Sequence, residues 1–578
     1  MFSISKKVFG LAGVATVFAG MAFGQATCGS PTAAPAIIRA EGTAEQLPTL
    51  AFTCTAPSSG SFAAGTASLQ LFISPALPVT SKVTTSPATE ARLTMSGTAG
   101  ATAVYYGSVS GSTVSFSGII LPLPTASQTF IFTIDGIRVN ATSLAVGTGI
   151  PPTVSISPYI TGSVGAITTT AVGSTAVAFA QNGLASTLIY PTFNTVGSAA
   201  VATAAGTLNN FPTGTASGTK NTANNFVICA TVKPSAATAL AAGVTPAAVT
   251  PVTTLVSYSS AAGLAFVAQI GENFTSAFKT PAGESTPVTT LVNGTRLTLN
   301  FTNVPAGVTL YVPNAAIMSQ ASAGSTIRLA PWAIGTDPSV TPAVGGATSG
   351  SAFITGTGGA TNSLVAVSGN TATFEVITAD ANSLDTFNVP VFIVTSANGT
   401  TASAAGIGVS VSFAPTGATT VPNFIVGGST NVVTASSFNT CTTSLLFPFV
   451  TNQLGFDTGI AIANTSTDPF ASTLKGGAVA QAGTCALNFY GSGAPTPANA
   501  TTPNVPTGTV YTQVLSGVAA GFQGYIIAQC NFQYAHGFAF ITNGVGVNGG
   551  LSQGYLAGVI LDTNQVSRST ATGETLGN

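Results

Sequence analysis

Side-chain alternation with a period of two is the feature that most narrows what this chain can become. Across residues 295–313, Leu297, Leu299 and Phe301 alternate with Arg296, Thr298 and Asn300. A strand points successive side chains to opposite faces, so such a run makes one buried face and one wet face. Val304-Pro305-Ala306-Gly307 follows, with Pro at i+1 and Gly at i+3, as a type I turn prefers. Val308, Leu310 and Val312 then resume the alternation against Thr309 and Tyr311. The stretch predicts a hairpin with one buried face. Similar runs rich in Val, Ile, Thr and Phe predict strands over 69–73, 114–119, 130–139, 264–270, 372–376, 389–394, 407–413, 445–450, 459–463 and 538–541. Asp135-Gly136, inside 130–139, reads as a tight turn or as a bulge.

Helical stripes are scarce, so the fold class is all-β: several Ig-like antiparallel β-sandwich domains in tandem. One sandwich is too small for 578 residues, so three or four are expected. The divisions fall at 25–181, 182–313, 314–414 and 440–566. A Gly/Thr/Ser-rich linker is expected at 415–439 and a polar tail at 567–578. Residues 1–24 read as a secretory signal. Lys6 and Lys7 form its basic start, residues 8–23 are apolar, and Ala22-Phe23-Gly24 offers a cleavage site before Gln25. No later apolar run reaches the length of a helical span, so no integral membrane segment is expected after cleavage.

Charge is the next constraint. The chain has 13 Lys and Arg against 14 Asp and Glu. Removing Lys6 and Lys7 leaves 11 against 14, a net charge of −3. Charged residues are 5% of the chain, where soluble domains average about 25%. Phosphate binding needs clustered Lys and Arg, so nucleic acid is not an expected partner. With 45% hydrophobic residues and 34 Phe there is ample material for a core. Few titratable groups predict little dependence of stability on pH. Few charges also leave β-edges without their usual Lys and Glu guards, so the edges are expected to meet other copies or be covered.

Six cysteines, Cys28, Cys54, Cys229, Cys441, Cys485 and Cys530, show no CxxC and no Cys/His grouping. Export permits disulfides, and the spacing disfavours zinc. The preferred pairs are Cys28 with Cys54 and Cys485 with Cys530. Cys229 and Cys441 stay unassigned, and whether either is free is left open.

The segment Arg39-Ala40-Glu41-Gly42-Thr43 leading to Thr53-Cys54-Thr55 resembles the start of a group of large exported β-rich proteins of acidobacteria and other soil bacteria. Glu272-Asn273-Phe274-Thr275-Ser276-Ala277-Phe278-Lys279 and Asn303-Val304-Pro305-Ala306-Gly307-Val308 resemble the same group. So does the C-terminal block from Cys441-Thr442-Thr443-Ser444-Leu445-Leu446 through Gly455-Phe456-Asp457-Thr458-Gly459 to Ala528-Gln529-Cys530-Asn531-Phe532. The resemblance implies export and β-architecture. The group has no established activity, so no chemistry comes with it.

Motifs that could carry chemistry are few, and each has a plainer reading. Gly550-Leu551-Ser552-Gln553-Gly554 matches G-x-S-x-G, but the sole histidine, His536, precedes Ser552 and no helix follows. His536 reads as a hydrogen-bonded residue beside a strand rather than a base or ligand. Asp457 and Asp468, with Asn452 or Asn464, could supply calcium oxygens, though Asx turn-capping fits better. Glu375 with Asp380, or Glu272 with Glu284, are the acid pairs a glycosidase would need, and nothing in their spacing marks them. Trp332 and the tyrosines could stack on sugars. Sequons stand at Asn140, Asn273, Asn293, Asn300, Asn398, Asn464 and Asn499. No catalytic, cofactor or metal site is assigned, and no enzyme activity is expected. The favoured expectation is an exported structural or adhesive surface protein that associates through β-edges. The alternatives are a secreted carbohydrate-binding protein with cell-surface glycans as partner, and a secreted hydrolase using Ser552.

Overall fold

The structure, a computed structural model, describes residues 25–58, 64–98, 102–122, 125–147, 149–162, 167, 170–197, 201–203, 206–208, 213–228, 263–291, 293–313, 317–321, 325–329, 364–395, 405–414, 422–425, 430–467, 480–544 and 550–560. The signal reading of 1–24, Cys229, Trp332, Asn398, Asp468 and the tail at 567–578 lie outside these residues. The chain is all-β, built of antiparallel sheets packed around three main cores.

The first core lies between two sheets. Its strands are β1 (Ala36–Arg39), β2 (Leu50–Thr55), β3 (Gly65–Ser74), β4 (Arg92–Ser96), β5 (Ala103–Tyr106), β6 (Thr113–Leu121), β7 (Thr129–Asp135), β8 (Thr153–Gly162) and β9 (Thr175–Gln181). One sheet runs β2-β7-β4-β5 and the other β6-β3-β8-β9-β1, with β9 and β1 parallel. Alternation decides which face is inside. On β3, Ala67, Leu69, Leu71 and Ile73 are buried while Gln70 and Phe72 point out. Phe52 and Phe132, directly opposite on β2 and β7, stack with centroids 5.0 Å apart. Each such side chain contributes about 1.5–3 kcal/mol by leaving water. The Asp135-Gly136 ambiguity resolves as a kink. Gly136 has φ 71°, and a Cβ there would run into the Glu90 carbonyl. The chain leaves β7 and Arg138–Val139 pairs instead with Glu45–Gln46.

The second core takes β10 (Leu188–Tyr190), β11 (Leu264–Gly271), β12 (Arg296–Thr302), β13 (Thr309–Pro313), β14 (Thr326–Leu329), β15 (Leu364–Ala366), β16 (Thr371–Thr378), β17 (Thr386–Val394) and β18 (Gly408–Ala414). The sheets are β10-β11-β17-β13-β15 and β14-β16-β12-β18. Three expectations are corrected here. First, β12 and β13 do not form a hairpin. β12 pairs with β16 and β18, and β13 with β15 and β17, so the turn between them crosses from one sheet to the other. Alternation still buries Leu297, Leu299, Leu310 and Val312, because both strands face the same core from opposite sides. Second, the boundary at 313/314 does not separate the described residues: β11 pairs along its length with β17, and the described parts of 182–313 and 314–414 share one core. Third, the described residues of the expected linker at 415–439, namely 422–425 and 430–439, belong to this sandwich. Phe424 stacks on Phe413 at 4.5 Å, Val433–Thr434 pairs with β18, and Phe438 is buried in the core. Glycine- and threonine-rich composition signals irregular backbone, which need not be solvent-exposed spacer.

The third core holds β19 (Thr443–Thr451), β20 (Asp457–Asn464), β21 (Cys485–Ser492), β22 (Asn499–Thr501), β23 (Val510–Val514), β24 (Gln523–Cys530), β25 (Ala535–Thr542), β26 (Ser552–Leu556) and β27 (Gly558–Ile560). Its sheets run β22-β21-β24-β19-β27 and β23-β20-β25-β26. Leu445, Phe447, Ile460, Ile462, Leu487 and Phe489 meet between them. Both expected disulfides form, and each joins residues directly opposite on paired strands: Cys28 to Cys54, and Cys485 to Cys530. Cys441, which the spacing does not assign, is disulfide-bonded. No described helix is long and apolar enough to cross a membrane.

Candidate functional site

The residues singled out for chemistry are held in structural roles and kept apart. Ser552 lies within strand β26 opposite Thr542, and their hydroxyls are 2.8 Å apart. His536 lies on β25 opposite Ala463, six residues before Thr542. At the strand rise this places His536 about 20 Å from Ser552. Ser552, the first residue of a strand that continues to Leu556, is also not at the strained strand-to-helix turn that a G-x-S-x-G nucleophile requires. Asp457 caps a turn as expected, accepting from the Thr458 and Ser516 amides at 2.8 and 3.1 Å and from the Ser516 hydroxyl. The Asn464 amide donates to the Gln481 and Val505 carbonyls, and its oxygen accepts from Ser466. Asn452 accepts from the Gly521 amide at 2.8 Å. Among the sequons, Asn273 and Asn499 are exposed while Asn293 and Asn464 are buried.

Neither acid pair converges on a cleft as a glycosidase pair must. Glu375 is paired with Arg296 at 3.1 Å, and Asp380 caps its own turn through Asn382 and Ser383. Glu272 accepts from the Phe278 and Asp385 amides, fixing the turn after β11 against the start of β17. Burial raises its carboxyl to about 7, and burial raises Asp385 in the same direction. Glu284 ends the short helix α1 (Pro281–Glu284), whose first turn is capped by Thr280. It points into the seam between the first and second sandwiches.

That seam is where the described residues concentrate buried charge, and no motif or spacing marks it. Arg39, at the end of β1, is 1% exposed. Its Nε donates to Glu45 at 2.8 Å, Nη1 to the Ala277 carbonyl and the Thr295 hydroxyl at 3.0 and 2.8 Å, and Nη2 meets Glu284 at 2.9 Å and Glu45 at 2.7 Å. The guanidinium also lies 4.8 Å from the centroid of Phe424. Lys279 stands 3.7 Å from Glu45. Beside it, Arg138 donates to Glu90 at 2.9 Å and to the Glu284 carbonyl, and Thr286 donates to Glu90 at 3.0 Å. Burial pushes the Glu45 carboxyl up, but Arg39 and Lys279 outweigh it and hold it below the ordinary range. Burial lowers Arg39, and Glu284 and Glu45 more than reverse this. Buried charges survive only when paired in this way. The one signal available in the sequence was scarcity itself, since each charge kept in so apolar a chain has a reason to be there.

The third sandwich is the opposite case. Among its described residues Asp457 is the single charged side chain. Edge strand β23, Val510-Tyr511-Thr512-Gln513-Val514, pairs only with β20 among the described residues and exposes Val510, Thr512 and Val514. Phe538 and Phe540 rise from β25 on the same outer face. Gly459 and Ala461 between them floor a shallow trough of about 460 Å³. A charge-free edge beside an apolar trough is suited to pairing with another strand or sheet.

No protein-family model matches the chain, and no curated protein is detectably similar to it.

Proposed function

We propose that this is an exported structural or adhesive protein of the cell exterior that associates with its own copies through β-edges of its third sandwich. The observation that carries this reading is β23: five residues of high β-propensity without charge or proline, on a sandwich whose described residues hold only Asp457 as a charge. Many natural β-proteins place Lys, Glu or Pro on such an edge to prevent pairing. Here Arg39, Glu45, Arg138 and Glu284 at the seam, and Arg296 and Asp385 in the second sandwich, are instead buried. The two cross-strand disulfides and the signal-like residues 1–24 support an oxidising destination. The reading includes no catalytic step.

Light scattering after gel filtration, together with negative-stain microscopy of the mature protein, tests the proposal. Oligomers or fibres that dissociate in Thr512→Lys are the expected result. A strict monomer at roughly 100 μM, well above the micromolar affinities of weak specific contacts, with no retention on cells, would overturn it.

A further inference from the structure

Where the first two sandwiches meet, a cleft of about 480 Å³ opens to solvent. Ala40, Glu41, Thr142, Leu144 and Val146 line it from the first sandwich. The opposite wall is Asn182, Leu184, Ser186, Ile425, Thr430 and Asn431. The size lies within the roughly 300–1,000 Å³ of small-molecule sites, and domain seams are a favoured place for them. The walls are fixed by bonds that span the seam. The Glu41 carboxylate accepts from the Gly183 amide at 3.0 Å, the Thr43 amide donates to the Asn423 carbonyl at 2.9 Å, and the Arg39 network lies directly behind. A cleft held open in this way loses little freedom when it is filled.

The lining selects a chemistry. Glu41 is its one ionisable group, so anions find no Lys or Arg partner there. Burial raises the Glu41 carboxyl and so disfavours its charged form, while Arg39 and Glu45 act on it in opposite senses. The side chains of Asn182, Ser186 and Asn431 offer amide and hydroxyl groups, while Leu144, Val146, Leu184 and Ile425 offer apolar surface. Planar carboxylate and amide groups can each engage neighbouring hydroxyls, and the C–H faces of a sugar ring pack on aliphatic side chains. We infer that this cleft binds a neutral carbohydrate of one or two rings, by hydrogen bonds from Glu41, Asn182, Ser186 and Asn431 to its hydroxyls. The inference is independent of self-association, since the third sandwich contributes nothing to the cleft.

Titration calorimetry of the full mature protein tests it with three probes: a panel of neutral mono- and disaccharides, glucuronate as an anion, and putrescine as a cation. At least one neutral saccharide is expected to bind and the two charged probes not to. Glu41→Gln should weaken that binding about tenfold, the equivalent of one good hydrogen bond to a charged group. Ser186→Trp, at an exposed position that leaves the cores untouched, should abolish it by filling the cleft. Circular dichroism checks that both variants are folded. Absence of neutral saccharide binding up to about 10 mM, binding of putrescine alone, or saccharide binding unchanged in both variants would each overturn the inference.

Discussion

Arg39 uses all of its donor directions on partners from two sandwiches, so its removal strands charges on both sides. Arg39→Met leaves Glu45 and Glu284 buried with their main counter-charge gone. Breaking such a pair costs about 3–5 kcal/mol, readable as a lowered urea midpoint. Adding Glu45→Gln and Glu284→Gln to Arg39→Met should recover part of that loss, because no uncompensated charge then remains. Glu272 acts in the other direction. Its folded value of about 7 lies above the value of about 4.3 for a free glutamate. The folded state therefore holds a proton that the unfolded state has released. Stability is greatest below about pH 4.3 for this group and declines as pH rises towards 7. Glu272→Gln should flatten that decline in denaturation curves taken from pH 5 to 7, and an unchanged slope would count against it. Scarcity of charge alone predicted weak pH dependence. Burial works against that expectation at Glu272 and Asp385, whose carboxyls it raises.

At the level of strands, alternation was legible wherever one face of a strand is wet. Residues 69–73, 114–119, 459–463 and 538–541 all fall inside observed strands, though Phe538 and Phe540 face out and a register shift interrupts the alternation between Phe116 and Ile119. It said nothing of partners. β12, a short turn and β13 have the pattern of a hairpin, yet each strand hydrogen-bonds in a different sheet. Local pattern fixes the period of a strand, whereas pairing depends on which distant strands fill the same core. β17 shows another limit: its residues are buried on both faces, so no alternation marks it. The edge β23 carries the prediction for this scale. Thr512→Lys adds a charge on its exposed face and should abolish self-association while changing stability by no more than about 0.5 kcal/mol, as surface substitutions do. A variant that still assembles would direct attention to the other edges.

For the whole molecule, the seam joins the first two sandwiches, while the third core is separate from it. Scanning calorimetry should therefore show one transition for the coupled pair and another for the third sandwich. Arg39→Met should split the first transition and leave the second in place. Removing the Cys485–Cys530 bond as paired serines should lower only the third-sandwich transition. The bond closes a 45-residue separation, a loop of a size for which disulfides give about 2–4 kcal/mol. The amino-acid sequence by itself determined the β-class, the period-two alternation and the poverty of charge, because each follows from local spacing or composition; it favoured the Cys28–Cys54 and Cys485–Cys530 pairs without excluding other pairings. Tertiary structure alone decided that the described residues of 182–439 share one core, that Ser552 and His536 stand far apart, and where the buried charges went. Those outcomes depend on contacts between residues distant in the chain: Arg39 finds Glu284 across 245 positions because both lie where two sandwiches exclude water.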